Sequence, residues 1–330
     1  MKVPSASPDF VLAIDFGGTK LDVATATLGG DALRSQRLDT DAAGGAEQAV
    51  ERALAAARAL RDATASDTGG RLVAAGAASP GIVLDDRILL APNVPGWQDL
   101  PLATRIQDGL DLDPRQVVTE TDVKAATLAE ARWGALRDAD PGVFLNVGTG
   151  LGAGIVVGGR VLAGANGAAG EIGYALRGVG DEHGASDGHA PLEEHAGGRA
   201  LGERGSALLG AGALTAADVL ERARGGGDPD AAALVADTLD ELAVHVANLA
   251  VLLDPARIAV GGGMMNSAAL VLGALRRRVA QAAPFPPEVV AARFVNDAAL
   301  RGAIARAIDA HTTVPTTTAP TLIHRGGAAR

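Results

Sequence analysis

The chain contains no cysteine. That excludes disulfides, thiolate zinc sites, cysteine-ligated iron–sulfur clusters and a cysteine nucleophile. Aromatic residues are scarce, with five Phe, two Trp and one Tyr among 330 residues, too few for a platform that stacks nucleic-acid bases. Positive charge is also short: Lys plus Arg is 29 against 39 Asp plus Glu, a net charge of −10. A general binder of nucleic acid or of anionic membranes needs clustered cations. No run of ~18 apolar residues occurs, and the opening MKVPSASPDF has no apolar core of signal-peptide length. These absences predict a soluble, cytoplasmic protein with neither nucleic acid nor membrane as partner.

The residues that are present describe an ordinary folded chain. Hydrophobic residues make up 48% and charged residues 21%, which is neither disorder nor coiled coil. At about 100–200 residues per domain the length suggests two domains. Residues 10–15 (FVLAID) read as a short buried strand, 20–27 as an alternating strand and 31–39 as a third. An Ala-, Leu- and Arg-rich stretch over 46–63 predicts a helix. Strand patterns recur at 72–78 and 115–119, and 122–136 reads as a helix. The pattern then restarts, with strands at 143–147 and 153–157, a long helical region over 193–253 and a strand at 257–260. Helix, strand and helix follow to about residue 310. The Thr-, Pro- and Gly-rich end, 311–330, is expected to be a disordered tail. The repeated unit of strand, glycine turn and strand predicts two similar α/β halves with a cleft between them.

Much of the glycine, 44 residues in all, sits in clusters beside apolar runs. Asp15-Phe16-Gly17-Gly18-Thr19-Lys20 follows one strand and enters another. It is therefore a hairpin, unlike the strand-to-helix turn of a Rossmann or P-loop motif. Glycines let backbone N–H groups approach phosphate oxygens, Thr19 adds a hydroxyl, and Asp15 can hold Mg²⁺ through water. A plain β-turn using glycine for positive φ explains the same residues. Gly148-Thr149-Gly150-Leu151-Gly152 repeats the arrangement. Gly261-Gly262-Gly263-Met264 leaves a strand and opens a helix, either for a flat base to lie on or as a tight connection.

The ordered series DFGGTK, SPG, PNVPGW, TD before a helix, GTGLGAG, GEIG, LEE and VGGGMMN resembles the ROK family of sugar kinases and related repressors. The resemblance spans about residues 10–310. It implies an actin-like ATPase (ribonuclease H-like) fold of two α/β lobes around an interlobe cleft. The expected division is 1–120 for the small lobe, completed by a C-terminal helix over 296–310, and 121–310 for the large lobe. It further implies ATP and Mg²⁺ as cofactors, a sugar as partner, and a homodimer or higher homo-oligomer. Gly17, Gly18, Thr19, Lys20, Gly148, Thr149, Gly150 and Gly152 would flank the phosphates, and Gly262, Gly263 and Met264 the adenosine.

Phosphoryl transfer to a hydroxyl needs a carboxylate to take the proton. The resemblance makes Asp122 that base; its position after a strand and before a helix also suits an N-cap. Asn93, in a Pro-bounded loop, has an amide that donates and accepts, or is a turn Asn. Glu171 and Glu193 match the family's sugar-binding acids, although Glu193 also suits a helix first turn. Ser79 joins the expected sugar contacts. Thr121 stands where the family has Asn, and Tyr174 where it has His, leaving Tyr174 either against the sugar or at the edge of the core. The zinc-binding cysteine loop of the family is replaced by GVGDEHGASDGHAP, so no zinc is expected. His183, His189, His195, Asp181 and Asp187 then form a solvated polar loop or a different metal site. The resulting expectation is an ATP-dependent kinase for a hexose or aminohexose, acting at the 6-hydroxyl. The alternative is a non-catalytic sugar sensor related to the repressors, without their DNA-binding domain because the first strand starts near Phe10. A filament role would leave the sugar-side residues without purpose.

Overall fold

The computed structural model describes residues 8–84, 86–91, 95–98, 100–210, 212–224 and 227–312. The expected tail, apart from residues 311 and 312, lies outside them, and so does Asn93. The first half holds β1 (Phe10–Phe16), β2 (Lys20–Thr27), β3 (Ala32–Asp39), α1 (Gly45–Thr68), β4 (Leu72–Ser79), β5 (Ile82–Val83), β6 (Ile88–Leu89), α2 (Leu102–Leu110) and β7 (Val117–Thr121). Then come α3 (Asp122–Trp133), β8 (Gly142–Val147), β9 (Leu151–Val157), β10 (Arg160–Val161), α4 (Glu193–Ala196), α5 (Gly198–Leu209), α6 (Ala216–Ala223) and α7 (Pro229–Leu253). The chain continues through β11 (Arg257–Gly261), α8 (Ala268–Ala282), β12 (Glu288–Ala291) and α9 (Ala298–Thr312).

Two five-stranded sheets have one plan. Their strand orders are β3-β2-β1-β4-β7 and β10-β9-β8-β11-β12. In each, the first three strands run antiparallel and the last two parallel to the first. The sequence pattern explains why the leading strand is central. In β1, Leu12, Ile14 and Phe16 enter one core, whereas Val11 and Ala13 enter another on the opposite face. In β8, Val143, Leu145 and Val147 face one core and Phe144 the other. A strand apolar on both faces must be covered on both.

The layers follow. Helices α1 and α2 cover one face of the first sheet and α9 the other. Helix α3 covers the inner face of the second sheet, and the helices from α4 to α8 its outer face. The middle layer is thus α3 against α9, joining the sheets. The two helices approach very closely. A Cβ on Gly302 of α9 would overlap the carbonyl of Ala125 in α3, and one on Gly76 of β4 would overlap Ala303 of α9. Arg132 of α3 clasps the far end of α9 through Asp309 and the Ala305 carbonyl.

Several elements differ from their expected bounds, each for a local reason. β7 begins two residues later than the apolar pattern indicates. Pro114, Arg115 and Gln116 form a 3₁₀ turn closed by Asp113, whose amide donates to the Gln116 side chain at 2.9 Å. The strand therefore runs to Thr121, and α3 starts at Asp122 with no loop between. Helix α3 stops at Trp133 rather than residue 136, because Glu130 turns its carboxylate back onto the Ala135 amide at 2.6 Å.

The contact at Gly302 carries a prediction. Gly302→Ala forces α3 and α9 apart, an overpacking cost of about 1–3 kcal/mol. The melting temperature should fall by roughly 2–8 °C. Thermal unfolding followed by circular dichroism checks this, and an unchanged melting temperature would refute the close approach.

Candidate active site

Parallel strands β1, β4 and β7 end along one edge of the first sheet. Their registers align Asp15 with Ala78, Ala78 with Glu120, and Ser79 with Thr121. Asp122 follows at once as the first residue of α3. Ligand clefts of open α/β sheets form outside such carboxyl ends. The second sheet presents the matching edge, where Asn146 of β8 lies opposite Gly261 of β11. Between the edges is a cavity of about 170 Å³, lined in part by Asp15, Asp122, Asn146, Gly262, Phe294 and Asn296.

Gly262 lines this space, and the 148–152 and 261–263 segments adjoin, a Cβ on Gly148 lying 3.8 Å from the Gly263 amide nitrogen. Gly262 has φ 95°, and a Cβ there would lie 2.5 Å from the Val147 carbonyl carbon, so only glycine fits. The hairpin over 148–152 rests on α5, whose Gly198 and Arg199 amides donate to the Gly148 and Thr149 carbonyls at 2.9 and 3.1 Å. It also abuts α3, since a Cβ on Gly152 would lie 2.9 Å from Val123 Cγ2. Gly17 closes its own hairpin, donating to the Lys20 carbonyl at 2.9 Å and accepting from Thr40 Oγ1 at 2.6 Å. Gly18 and Gly263 are different. Neither has a positive φ, and a Cβ on either meets nothing within 4 Å. The expectation that the first turn uses glycine for positive φ is therefore corrected, because Gly17 and Gly18 both have ordinary φ values. Thr19 and Lys20 are exposed at the hairpin tip.

Burial dominates the electrostatics. The Asp15 carboxyl is pushed up to about 7 by desolvation first, then by Asp122 and Asp22, with Arg37 opposing. The Asp122 carboxyl rises to about 6 through desolvation, opposed by the Val123 amide and by Lys124. Its Oδ1 accepts from Val123 at 2.7 Å, while Thr121, the residue before the helix, makes no side-chain cap. Glu171 and Tyr174 are likewise raised by burial and neighbouring acids: Asp122 and Glu193 act on Glu171, and Glu171 and Glu193 on Tyr174. Asp122, Glu171, Tyr174 and Glu193 thus form one electrostatic group.

Some expected contacts have other duties. Ser79 is fully buried; it donates to the Pro80 carbonyl and accepts from Trp97 Nε1 at 2.9 Å. It is therefore removed from the sugar-facing set and fixes the loop instead. Met264 is 2% exposed and belongs to the core, which leaves only its backbone for a ligand. One oxygen of Glu193, Oε2, accepts from the Leu151 amide at 2.8 Å, and a Cβ on Gly150 would overlap that carboxylate. Thr121 Oγ1 meets the Val83 amide at 3.4 Å.

Three residues escaped the sequence reading. Asn146 interrupts the apolar strand VFLNV two residues before Gly148, a detectable signal. Glu130, fully buried, accepts from the Phe294 amide at 2.8 Å and so holds the cavity-lining segment. Lys124, buried on α3, donates to the Gly167 carbonyl at 2.7 Å and lies 3.9 Å from Glu171 Oε1. A lysine at an inward position of an Ala-rich helix was its signal.

In place of the zinc loop, the structure has a polar cleft of about 450 Å³ lined in part by Arg177, Asp181, His183, His189 and His195. Each histidine pairs with a different acid: His183 with Asp187 at 3.7 Å, His189 with Glu194 at 3.1 Å and His195 with Asp237 at 3.3 Å. Among the described residues no three His, Asp or Glu side chains group as a metal site. No helix there is long and apolar enough to cross a membrane.

The family model described as "ROK family" matches residues 11–310. The chain belongs to the ROK family. Over 302 residues it is 35% identical to the N-acetylmannosamine kinase of Shigella boydii, covering 88% of this chain and 96% of that one. It is 33% identical over 300 residues to the bifunctional enzyme NanE/NanK of Brucella melitensis, covering 88% of this chain but 52% of that protein, about half its length. The crystal structure of a ROK family glucokinase from Streptomyces griseus, in complex with glucose and AMPPNP, matches with a TM-score of 0.72 and 29% identity. That match covers 90% of this chain and 98% of the other.

The buried carboxylates of this ROK chain predict an unusual pH dependence of stability. Between about pH 4 and 7 the folded chain holds protons that the unfolded chain releases, so stability falls as pH rises across that window. Asp15→Asn should raise the melting temperature in EDTA at pH 8 by about 2 °C or more, with the gain shrinking toward pH 4. Thermal scans from pH 4.5 to 8 check this; a less stable variant at pH 8 would contradict the burden assigned to Asp15.

Proposed function

We propose that the chain is an ATP-dependent kinase of a hexose or aminohexose, transferring the γ-phosphoryl group to a sugar hydroxyl, the 6-hydroxyl for a glucose-like acceptor. The observation that carries this reading is Asp122, a half-buried carboxylate at a strand-to-helix junction, sharing a cavity with Asp15, Asn146 and Gly262. The names of the similar proteins, N-acetylmannosamine kinase and glucokinase, support the class of acceptor.

The chemistry follows from the residues. The acceptor hydroxyls lie against Glu171, Tyr174 and Glu193. Asp122 takes the hydroxyl proton on Oδ2, because Oδ1 is engaged by the Val123 amide. Its raised pKa makes it a stronger base than an exposed carboxylate while leaving it ionised at neutral pH. The phosphates lie along Gly17, Gly18, Thr19, Lys20 and residues 148–152, where backbone N–H groups donate to anionic oxygens. The adenosine lies along Gly262, Gly263 and the backbone of Met264. Asp15 suits Mg²⁺, which asks for one or two carboxylates beside waters and phosphates, in a cluster whose acids are raised first by desolvation and then by one another. When bound, Mg²⁺ would neutralise charge on the phosphoryl oxygens. The glycines at 18 and 263, unexplained by turn or packing, leave room for the nucleotide.

Three outcomes test the reading. A coupled ADP-release screen against hexoses and aminohexoses, with sugar-free ATPase as blank, should show acceptor-dependent turnover. Asp122→Asn should lower kcat by about 10²-fold or more while the acceptor KM changes little. Sugar binding by calorimetry without any ADP release would instead favour the non-catalytic sensor.

Wild-type kcat/KM should rise with pH through about 6 and level off above it, since the proton must leave Asp122 before it can act as base. A pH-independent rate between 5 and 7.5 would exclude Asp122. Separately, Gly18→Val should leave the melting temperature within about 1 °C and raise the KM for ATP about tenfold, through lost room for the phosphates. Steady-state kinetics and thermal scans read both.

A further inference from the structure

The segment 163–170, Ala-Gly-Ala-Asn-Gly-Ala-Ala-Gly, leads directly into Glu171. Gly164, Gly167 and Gly170 take φ of 83°, 74° and 89°. Such a segment is costly to order, because glycine loses the most freedom and none of these side chains is a large apolar anchor. Yet it reaches across the cleft. The position of a Cβ on Gly167 lies 3.2 Å from Ile82 Cγ2 and 3.4 Å from Leu84 Cδ2, against the β5 strand of the first lobe. At that tip the Gly167 carbonyl accepts from Lys124 Nζ at 2.7 Å. Lys124 is 3% exposed, and its ammonium lies 3.9 Å from Glu171 Oε1. A buried ammonium is tolerated only when paired and hydrogen-bonded. Here both partners belong to the same loop, one at its tip and one at its end.

We infer that Lys124 is a positioning residue that pins the loop 163–171 to α3 and thereby sets the Glu171 carboxylate for the acceptor. It stands apart from the residues assigned above to the nucleotide and its phosphates. Thr121 supports the same junction from the first lobe, its hydroxyl facing the Val83 amide. Lys124 also opposes the acids that raise Glu171. The inference rests on the sugar-kinase reading only for its effect on acceptor binding; the ordering of the loop stands apart from it.

The experiment compares wild type with Lys124→Met, which keeps chain length and apolar burial, and Lys124→Gln, which restores a donor without charge. Kinetics use the best acceptor of the sugar panel. Hydrogen–deuterium exchange of residues 163–171 is measured on the same proteins. In K124M the acceptor KM should rise about tenfold or more, the scale of a lost charge-assisted hydrogen bond. The KM for ATP should stay within about twofold, and exchange at 163–171 should speed up. K124Q should recover part of both losses; if K124M is insoluble, K124Q is compared with wild type for the same two changes in smaller measure. Unchanged exchange at 163–171 overturns the inference whatever the kinetics. A parallel rise of both KM values with a collapse of the melting temperature overturns it too, because that is a general structural defect. If no sugar supports turnover even in wild type, the kinase reading fails, and exchange alone still decides the role of Lys124.

Discussion

The contact between α3 and α9 governs the rest of the molecule. Each helix covers the inner face of one sheet, so their distance sets the distance between the sheets. At Gly302 the backbones meet without a side chain between them. Asp122, as first residue of α3, therefore has its place fixed by a contact within its own helix layer. The cavity with Asp15 and Asn146 exists because the two carboxyl edges are held face to face.

A second constraint is electrostatic. Asp15, Asp122, Glu171 and Glu193 crowd acids into a region of low solvent access, and burial raises three of them. Like charges in such a place are unfavourable for the folded state and useful for a site that takes protons and receives cations. Within this group the ammonium of Lys124 opposes the rise of both Asp122 and Glu171. Its hydrogen bond to Gly167 links that charge balance to the shape of a loop. The charge of this acidic group and the order of the loop are in this way tied to one buried cation.

Much of this was readable from residue order. The two hairpins with their glycine turns announced themselves through short apolar strands broken at Gly17 and Gly148, and the repeated sheet plan follows from that pattern. Ser79 was misjudged, and the side chain of Met264 lies in the core, for one reason: a motif position says nothing about whether a side chain turns outward or inward. Ser79 turns to Trp97, eighteen residues away, a pairing that periodicity does not encode. The alternative that glycine serves positive φ failed at Gly17 and Gly18, where φ is ordinary; Gly262, where it is 95°, was read only as a tight connection or as room for a base. The register of β7 was hidden by Pro114, whose turn delays the strand. The inward position of Lys124 on an Ala-rich helix was visible, but its partners, Gly167 and Glu171, lie more than forty residues further on and were not.

The joint at Gly302 and Ala125 has a mechanical implication. At this one point the helices meet through alanine and glycine alone, a narrow bearing, while Arg132 grips α9 further along. Any rotation of one lobe against the other that turns on this bearing has its fulcrum one helical turn from Asp122. The lever arm to the outer strands is long and the arm to Asp122 short. The crevice mouth would then swing widely while the two aspartates hardly shift, so access and chemistry are geared separately.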